Sequence, residues 1–143
     1  MDFIDHANAV NNRMPGYVAR RVGDALNGHG KAVRGSRVLV IGLAYKPGVN
    51  DVRESPALAV LGKLCQAGAD LGYHDPFVPT FEHQGNLMQS IDLTPEALAA
   101  QDCVVILTAH PGIDWSAVVR DAPLVFDAQG VTRHLADPTV VRL

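Results

Sequence analysis

The sequence predicts an α/β protein with a doubly wound, mostly parallel sheet preceded by a long helix. Three observations carry that expectation. Phe3, Ala7, Val10, Met14, Val18, Val22 and Ala25 recur at three- and four-residue intervals, the mark of one apolar helix face. After Gly35 the period changes, and Arg37-Val38-Leu39-Val40-Ile41-Gly42 is a β-branched apolar run ending in glycine, as in a strand buried on both faces. From there to the end, short apolar runs alternate with helix-start signals, the pattern of a parallel sheet covered on two sides.

Each element follows from local chemistry. The first helix is interrupted by Pro15-Gly16, which predicts a kink or a helix boundary with Pro15 in a first turn, and Gly28 and Gly30 end it. It begins almost at Met1 with only Asp2 before it, so it is expected to be the tail of something longer. A polar loop from Ala44 to Glu54 follows the strand at 37–42, and Ser55-Pro56 supplies an N-cap and an N1 proline. Leu58, Leu61, Leu64 and Cys65 carry the inner face of that helix, and Gly68 closes it. Asp70–His74 reads as a second strand, ended by Asp75-Pro76. Thr94-Pro95-Glu96 starts a helix, Cys103–Ala109 is a strand, Trp115–Arg120 a short helix, Leu124–Asp127 a strand and Val140–Arg142 an edge strand. Ligands in such folds bind beyond the carboxyl ends of the strands, here the loops after Gly42, His74, Thr108 and Asp127.

With 143 residues the chain fits one domain, and 48% hydrophobic against 19% charged residues is an ordinary globular composition. Its longest apolar runs fall far short of the ~20 residues of a membrane helix, and no secretory signal opens it, so a cytoplasmic location is expected. Cys65 and Cys103 sit in apolar stretches without Cys-x-x-Cys spacing; they read as core thiols rather than nucleophiles or metal ligands, and no metal is expected. Residues 13–53 hold eight Lys/Arg against two Asp/Glu, the remainder four against thirteen. Such a basic segment suits either a local anion site or a solvated helix face. Nucleic-acid binding is disfavoured by the overall acidity and by aromatics at 6%.

The stretch Gly42-Leu43-Ala44-Tyr45-Lys46-Pro47-Gly48-Val49-Asn50-Asp51-Val52-Arg53-Glu54-Ser55-Pro56 is the most informative. It holds neither Gly-x-Gly-x-x-Gly nor a Walker A loop. It offers a strand end, Lys46 and Arg53 in one loop, and a helix start with free N–H groups, all suited to phosphate oxygens. A phosphate site and two solvated cations beside Asp51 and Glu54 both fit these residues.

This stretch resembles the C-terminal, UDP-binding domain of the UDP-glucose/GDP-mannose dehydrogenase family: an apolar strand, Gly, an aromatic, Lys, and then Asp-x-Arg-x-Ser-Pro before a helix. Gly68, Ala69, Asp75 and Pro76 meet a downstream pattern, Asn11-Asn12-Arg13-Met14-Pro15 resembles the family's central helix, and Thr108-Ala109-His110 and Phe126-Asp127 match weaker blocks. The resemblance implies a Rossmann-like sheet, with residues 1–30 as a central dimerisation helix segment and 36–143 as the UDP-sugar-binding α/β domain. It implies that Tyr45 and Lys46 contact the UDP-sugar, with Lys46 near the phosphates, and that Arg53 reaches the NAD cofactor. Asp51 then orients Arg53 or caps the loop, or is a plain turn aspartate. Asp75 is expected to be a structural Asp-Pro turn, and His110 either approaches substrate or is a surface histidine.

The family oxidises a sugar C6 alcohol twice with NAD, through a thiohemiacetal on a cysteine that precedes the central helix, as does the Gly-x-Gly-x-x-Gly domain that binds NAD. Residues 1–143 contain neither, so no catalytic residue is assigned and the chain alone is expected to be inactive. An arginine common in the family shortly after a late strand's aspartate is absent from Asp127-Ala128-Gln129-Gly130; the nearest is Arg133. The expected function is the nucleotide-sugar-binding part of an NAD-dependent UDP-sugar 6-dehydrogenase, with wording nearer the UDP-N-acetylhexosamine than the UDP-glucose branch, and a homodimer through the first helix. The alternatives are a stand-alone UDP-binding or regulatory module, and a dimerisation domain without catalysis.

Overall fold

A computed structural model describes residues 3–53 and 55–143, with side chains from Met14 onward. The elements are α1 (Phe3–Gly28), β1 (Arg37–Ile41), α2 (Pro56–Gln66), β2 (Asp70–His74), β3 (Thr80–His83), β4 (Asn86–Gln89), α3 (Pro95–Ala99), β5 (Cys103–Ile106), α4 (Trp115–Asp121), β6 (Val125–Asp127) and β7 (Val140–Arg142). Five strands form one sheet in the order β2-β1-β5-β6-β7, every pair parallel. The doubly wound expectation is met.

Strand alternation divides the core in two. Val38, Val40, Tyr73, Cys103, Val105 and Phe126 face Val18, Val22 and Leu26 of α1 and Val60, Leu61 and Leu64 of α2. Leu39, Ile41, Val104, Ile106 and Val125 face the opposite way, onto Leu98 of α3 and Val118 and Ala122 of α4. The central strands β1 and β5 are therefore buried on both sides, as their unbroken apolar runs require.

The helices begin where their caps put them. Ser55 accepts from the Ala57 N–H with Pro56 at the first helical position, Thr94 accepts from Ala97 and Asp114 from Ala117. Among the described residues no helix is long and apolar enough to cross a membrane.

The details correct several expectations. α1 is one element through Pro15, so the boundary alternative falls. Phe3, Ala7 and Val10 of the apolar stripe lie outside the described side chains. In the rest of it Leu26 takes the buried position and Ala25 is only half-buried. Cys65 is half-buried with its thiol 3.9 Å from the Gln84 side-chain oxygen, so it borders the core rather than belonging to it. Ala57 and Val60 complete the inner face of α2, with Leu58 half-buried against the same core. β5 ends at Ile106 rather than Ala109, because the Leu107 and Thr108 N–H groups both turn to the Ile41 carbonyl. The β3–β4 hairpin was unforeseen: it turns at Gln84-Gly85, both in the left-handed region, and its far end lies against β2 through the Tyr73–Ser90 bridge.

Part of the basic segment is engaged with the fold. Lys31 pairs with Asp102 at 2.6 Å, and Arg21 lies over the Tyr17 and Phe126 rings while donating to the Arg142 carbonyl. The Lys31 side chain, followed by the Arg37 N–H, holds the Asp102 carboxyl below its ordinary value.

Candidate functional site

The site is built where β1, β2, β5 and β6 end. β1 runs into Gly42, at φ +95°, a conformation glycine adopts freely. A side chain there would meet the Thr108 Cβ and lie 2.6 Å from the Thr108 nitrogen. The loops after β1 and β5 thus touch backbone to backbone. Beyond Gly42, the Leu43 and Ala44 N–H groups donate to one Asp75 carboxyl oxygen, at 2.8 and 3.1 Å. The Ala44 carbonyl accepts from Thr108 Oγ1 (2.8 Å) and Ser55 Oγ (3.3 Å).

The same loop then returns on itself. The Tyr45 N–H donates to the Asp51 carbonyl at 2.7 Å, and the Gly48 N–H to His110 Nδ1 at 3.0 Å. Arg53 folds onto Asp51, donating from its backbone N–H, Nε and Nη2 at 2.9, 3.1 and 3.1 Å. That pairing, first through the Arg53 side chain and then its N–H, holds the Asp51 carboxyl below its ordinary value. Asp51 thus holds the Arg53 side chain and, through the Arg53 N–H two residues on, also serves as a turn aspartate.

A cavity of about 610 Å³ opens at this edge. Met14, Pro15 and Val18 of α1 form one wall, the start of α2 from Ser55 to Val60 another, and Leu107, Thr108, Ala128 and Gln129 the floor. Tyr45 lies on its rim, 58% exposed. Among the described residues no charged side chain lines it, and those walls suit a flat, uncharged ring. Lys46 is exposed on the Tyr45 loop beyond the lining, and Arg53 is likewise outside it. The structure therefore brings Tyr45 to the cavity, and neither cation.

Sequence reasoning passed over Ser55, Thr108 and Gln129 as cavity residues. In the sequence Ser55 shows only as a cap, while Thr108 and Gln129 stand just past strand ends, the position that signals a site in this class of sheet. Gln129 stands in the segment that lacks the expected arginine, and its side-chain amide donates to the Leu107 carbonyl at 2.7 Å. Arg133 instead lies against Gly130. The loop bearing Gln129 is held by Asp127, 1% exposed, which accepts from the N–H groups of Gln129, Gly130 and Thr132. Burial pushes the Asp127 carboxyl up, but the hydrogen bonds from Thr132, Gln129 and Gly130 outweigh it and leave it below its ordinary value.

His110 is neither a surface histidine nor open to a substrate. It is 1% exposed, donates from Nε2 to Asp75 at 2.9 Å, and is covered by the Phe77 ring at 4.8 Å. Asp75 is structural, as expected, but does more than form a turn: besides its Phe77 N–H bond it ties down the β1 loop. Burial pushes the Cys103 thiol up to about 12, which leaves it inert as a nucleophile. Among the described residues no group of three or more His, Cys, Asp or Glu could hold a metal.

A sequence profile of the UDP-glucose/GDP-mannose dehydrogenase family, UDP binding domain, matches residues 39–134. The chain is 31% identical over 140 residues to a UDP-N-acetyl-D-mannosamine dehydrogenase of Methanococcus maripaludis, covering 92% of this chain and 31% of that protein. It is 37% identical over 133 residues to a UDP-glucose 6-dehydrogenase of Rhizobium meliloti, covering 87% and 29%. The fold superposes on a UDP-D-ManNAc dehydrogenase from Pyrococcus horikoshii with a TM-score of 0.79 at 24% identity, over 99% of this chain and 33% of that one. The chain thus spans about a third of the length of these relatives. With the motif at 42–56, the parallel sheet and the profile in agreement, the chain belongs to the UDP-glucose/GDP-mannose dehydrogenase family, within its UDP binding domain.

Proposed function

We propose that this chain binds the UDP part of a UDP-sugar at the carboxyl edge of the sheet, as the nucleotide-sugar-binding part of an NAD-dependent UDP-sugar 6-dehydrogenase. The observation that carries the reading is the cavity between α1, the start of α2 and the strand ends, with an aromatic on its rim and Lys46 one residue beyond. Tyr45 packs against the nucleotide, and Lys46 meets the diphosphate as a point charge. The sugar is a UDP-N-acetylhexosamine or UDP-glucose, the two kinds of substrate named for the relatives above.

For NAD itself the described residues supply little. The turn after β1 is Gly42-Leu43-Ala44 followed by a long loop, and Gly42 is closed off by Thr108, so a dinucleotide pyrophosphate has no glycine-rich seat there. Only Arg53 is assigned to the cofactor, from outside the cavity. An inert Cys103 equally favours a UDP-binding module that performs no chemistry by itself.

The test is ligand-dependent stability. A ligand that binds only the native state adds about 2.7 kcal/mol at a hundredfold excess over Kd, so millimolar UDP should raise the melting temperature by several degrees. Lys46→Ala should weaken UDP by about 1.5–3 kcal/mol, the scale of a charged hydrogen bond, and Arg53→Ala should leave it nearly unchanged. A melt indifferent to UDP, UDP-glucose and UDP-N-acetylglucosamine would sink the reading; the reverse order of the variants would exchange the two roles.

We also assign residues 1–30 to self-association and 36–143 to ligand binding, with a two-fold homodimer formed through α1. Sedimentation equilibrium at high micromolar concentration checks this, and a clean monomer there would overturn it.

A further inference from the structure

We propose that the buried Asp75–His110 pair positions the Tyr45–Gly48 segment, making His110 a positioning residue for the diphosphate site although it touches no ligand. The inference rests on the reading of Tyr45 and Lys46 as UDP contacts for its functional half, and on hydrogen-bond geometry alone for its structural half.

Tyr45 and Lys46 stand in an exposed stretch whose two ends are pinned from below. At the start, Leu43 and Ala44 donate to Asp75; at the end, Gly48 donates to His110 Nδ1, and His110 Nε2 donates to the Asp75 oxygen that holds Leu43 and Ala44. One carboxyl oxygen and one imidazole therefore clamp both ends of a six-residue segment. The arrangement fixes the imidazole chemically: Nδ1 accepts, so its proton is on Nε2, and Asp75 is the acceptor that selects this tautomer. Phe77, whose N–H bonds the other Asp75 oxygen, sets its ring against the imidazole at 4.8 Å and helps hold it in place. Gly48, at φ +78°, takes the left-handed turn that points its N–H at the ring. A diphosphate held by a lysine on a pinned loop loses less loop entropy on binding than one held by a loose loop.

The experiment compares His110→Ala with His110→Asn, read by amide hydrogen exchange and UDP titration calorimetry. Asparagine can keep an acceptor near the Nδ1 position for the Gly48 N–H while giving up the bond to Asp75; alanine gives up both. In His110→Ala the Gly48 amide should exchange faster than any general loss of protection in β5, and UDP should bind roughly threefold to tenfold more weakly. In His110→Asn, Gly48 protection and most of the affinity should return. Equal loss of affinity in both variants, or Gly48 protection untouched in His110→Ala, overturns the proposal. On the unsubstituted chain, a long-range proton–nitrogen spectrum should find Nδ1 unprotonated; a proton there overturns it without any variant. If the unsubstituted chain binds no UDP, the reading of the ligand site fails, and exchange at Gly48 decides the clamp by itself.

Discussion

Gly42→Ala should be the most damaging single methyl in the chain, lowering the melting temperature by roughly 10–15 °C or preventing folding outright. Two costs combine. A residue other than glycine in this left-handed region costs of order 1–3 kcal/mol, and forcing atoms into a closed contact costs typically another 1–3. Neither has an outlet here, because the atoms in the way are the Thr108 Cβ, nitrogen and carbonyl oxygen, the last at 2.7 Å, and backbone does not step aside as a flexible side chain does. Gly62→Ala is the matched control: it lies inside α2 with nothing within 4 Å of the new methyl, and should be neutral or stabilising by up to about 1 kcal/mol. Thermal unfolding of the two variants side by side makes the comparison, and a Gly42→Ala protein as stable as Gly62→Ala would contradict the close approach of the two loops.

Asp75→Ala should cost about 3–5 kcal/mol, since each buried donor left unmet costs about 1–3 kcal/mol and part of that is recovered by relaxation. Its carboxyl group accepts from the N–H groups of Leu43, Ala44 and Phe77 and from His110, and at 1% exposure no water replaces it. Four donors are left without an acceptor, and unmet buried donors cost more than the bonds themselves contribute. Asp75→Asn, which keeps one acceptor oxygen, should lose less. Urea midpoints read the order directly; a loss below about 1 kcal/mol for the alanine variant would mean that these loops find other partners or open to solvent.

What could be read from the sequence depended on how local the cause was. β1 declared itself through Val38–Ile41, and α2 through Ser55-Pro56, since a buried run and a cap are properties of adjacent residues. The fate of His110 was not legible, because its partner Asp75 is 35 residues away and nothing near position 110 tells a buried imidazole from a surface one. The β3–β4 hairpin was missed for a different reason. Gln84-Gly85 is not the Asn-Gly or Asp-Gly pair that usually announces such a turn, and the flanking residues are too polar to show a clear alternation. At the site, Lys46 stands out by residue type and Tyr45 only through the family resemblance, whereas Ser55, Thr108 and Gln129 converge on the cavity only once three strand ends lie side by side.

That hairpin also has a colloidal consequence. β2 is the outer strand of the sheet, and an outer strand with free N–H and C=O groups is a template on which other chains can grow. Ile91 donates to the Tyr73 carbonyl at 2.9 Å and Ser90 lies in register with Tyr73, so the chain leaving β4 occupies part of the pairing surface of β2. The residues next to it, Glu82, Asn86 and Gln89, are exposed and polar, and they break up any apolar ribbon around Leu87. The hairpin thus works as an edge guard, discouraging strand-by-strand aggregation at that border of the sheet.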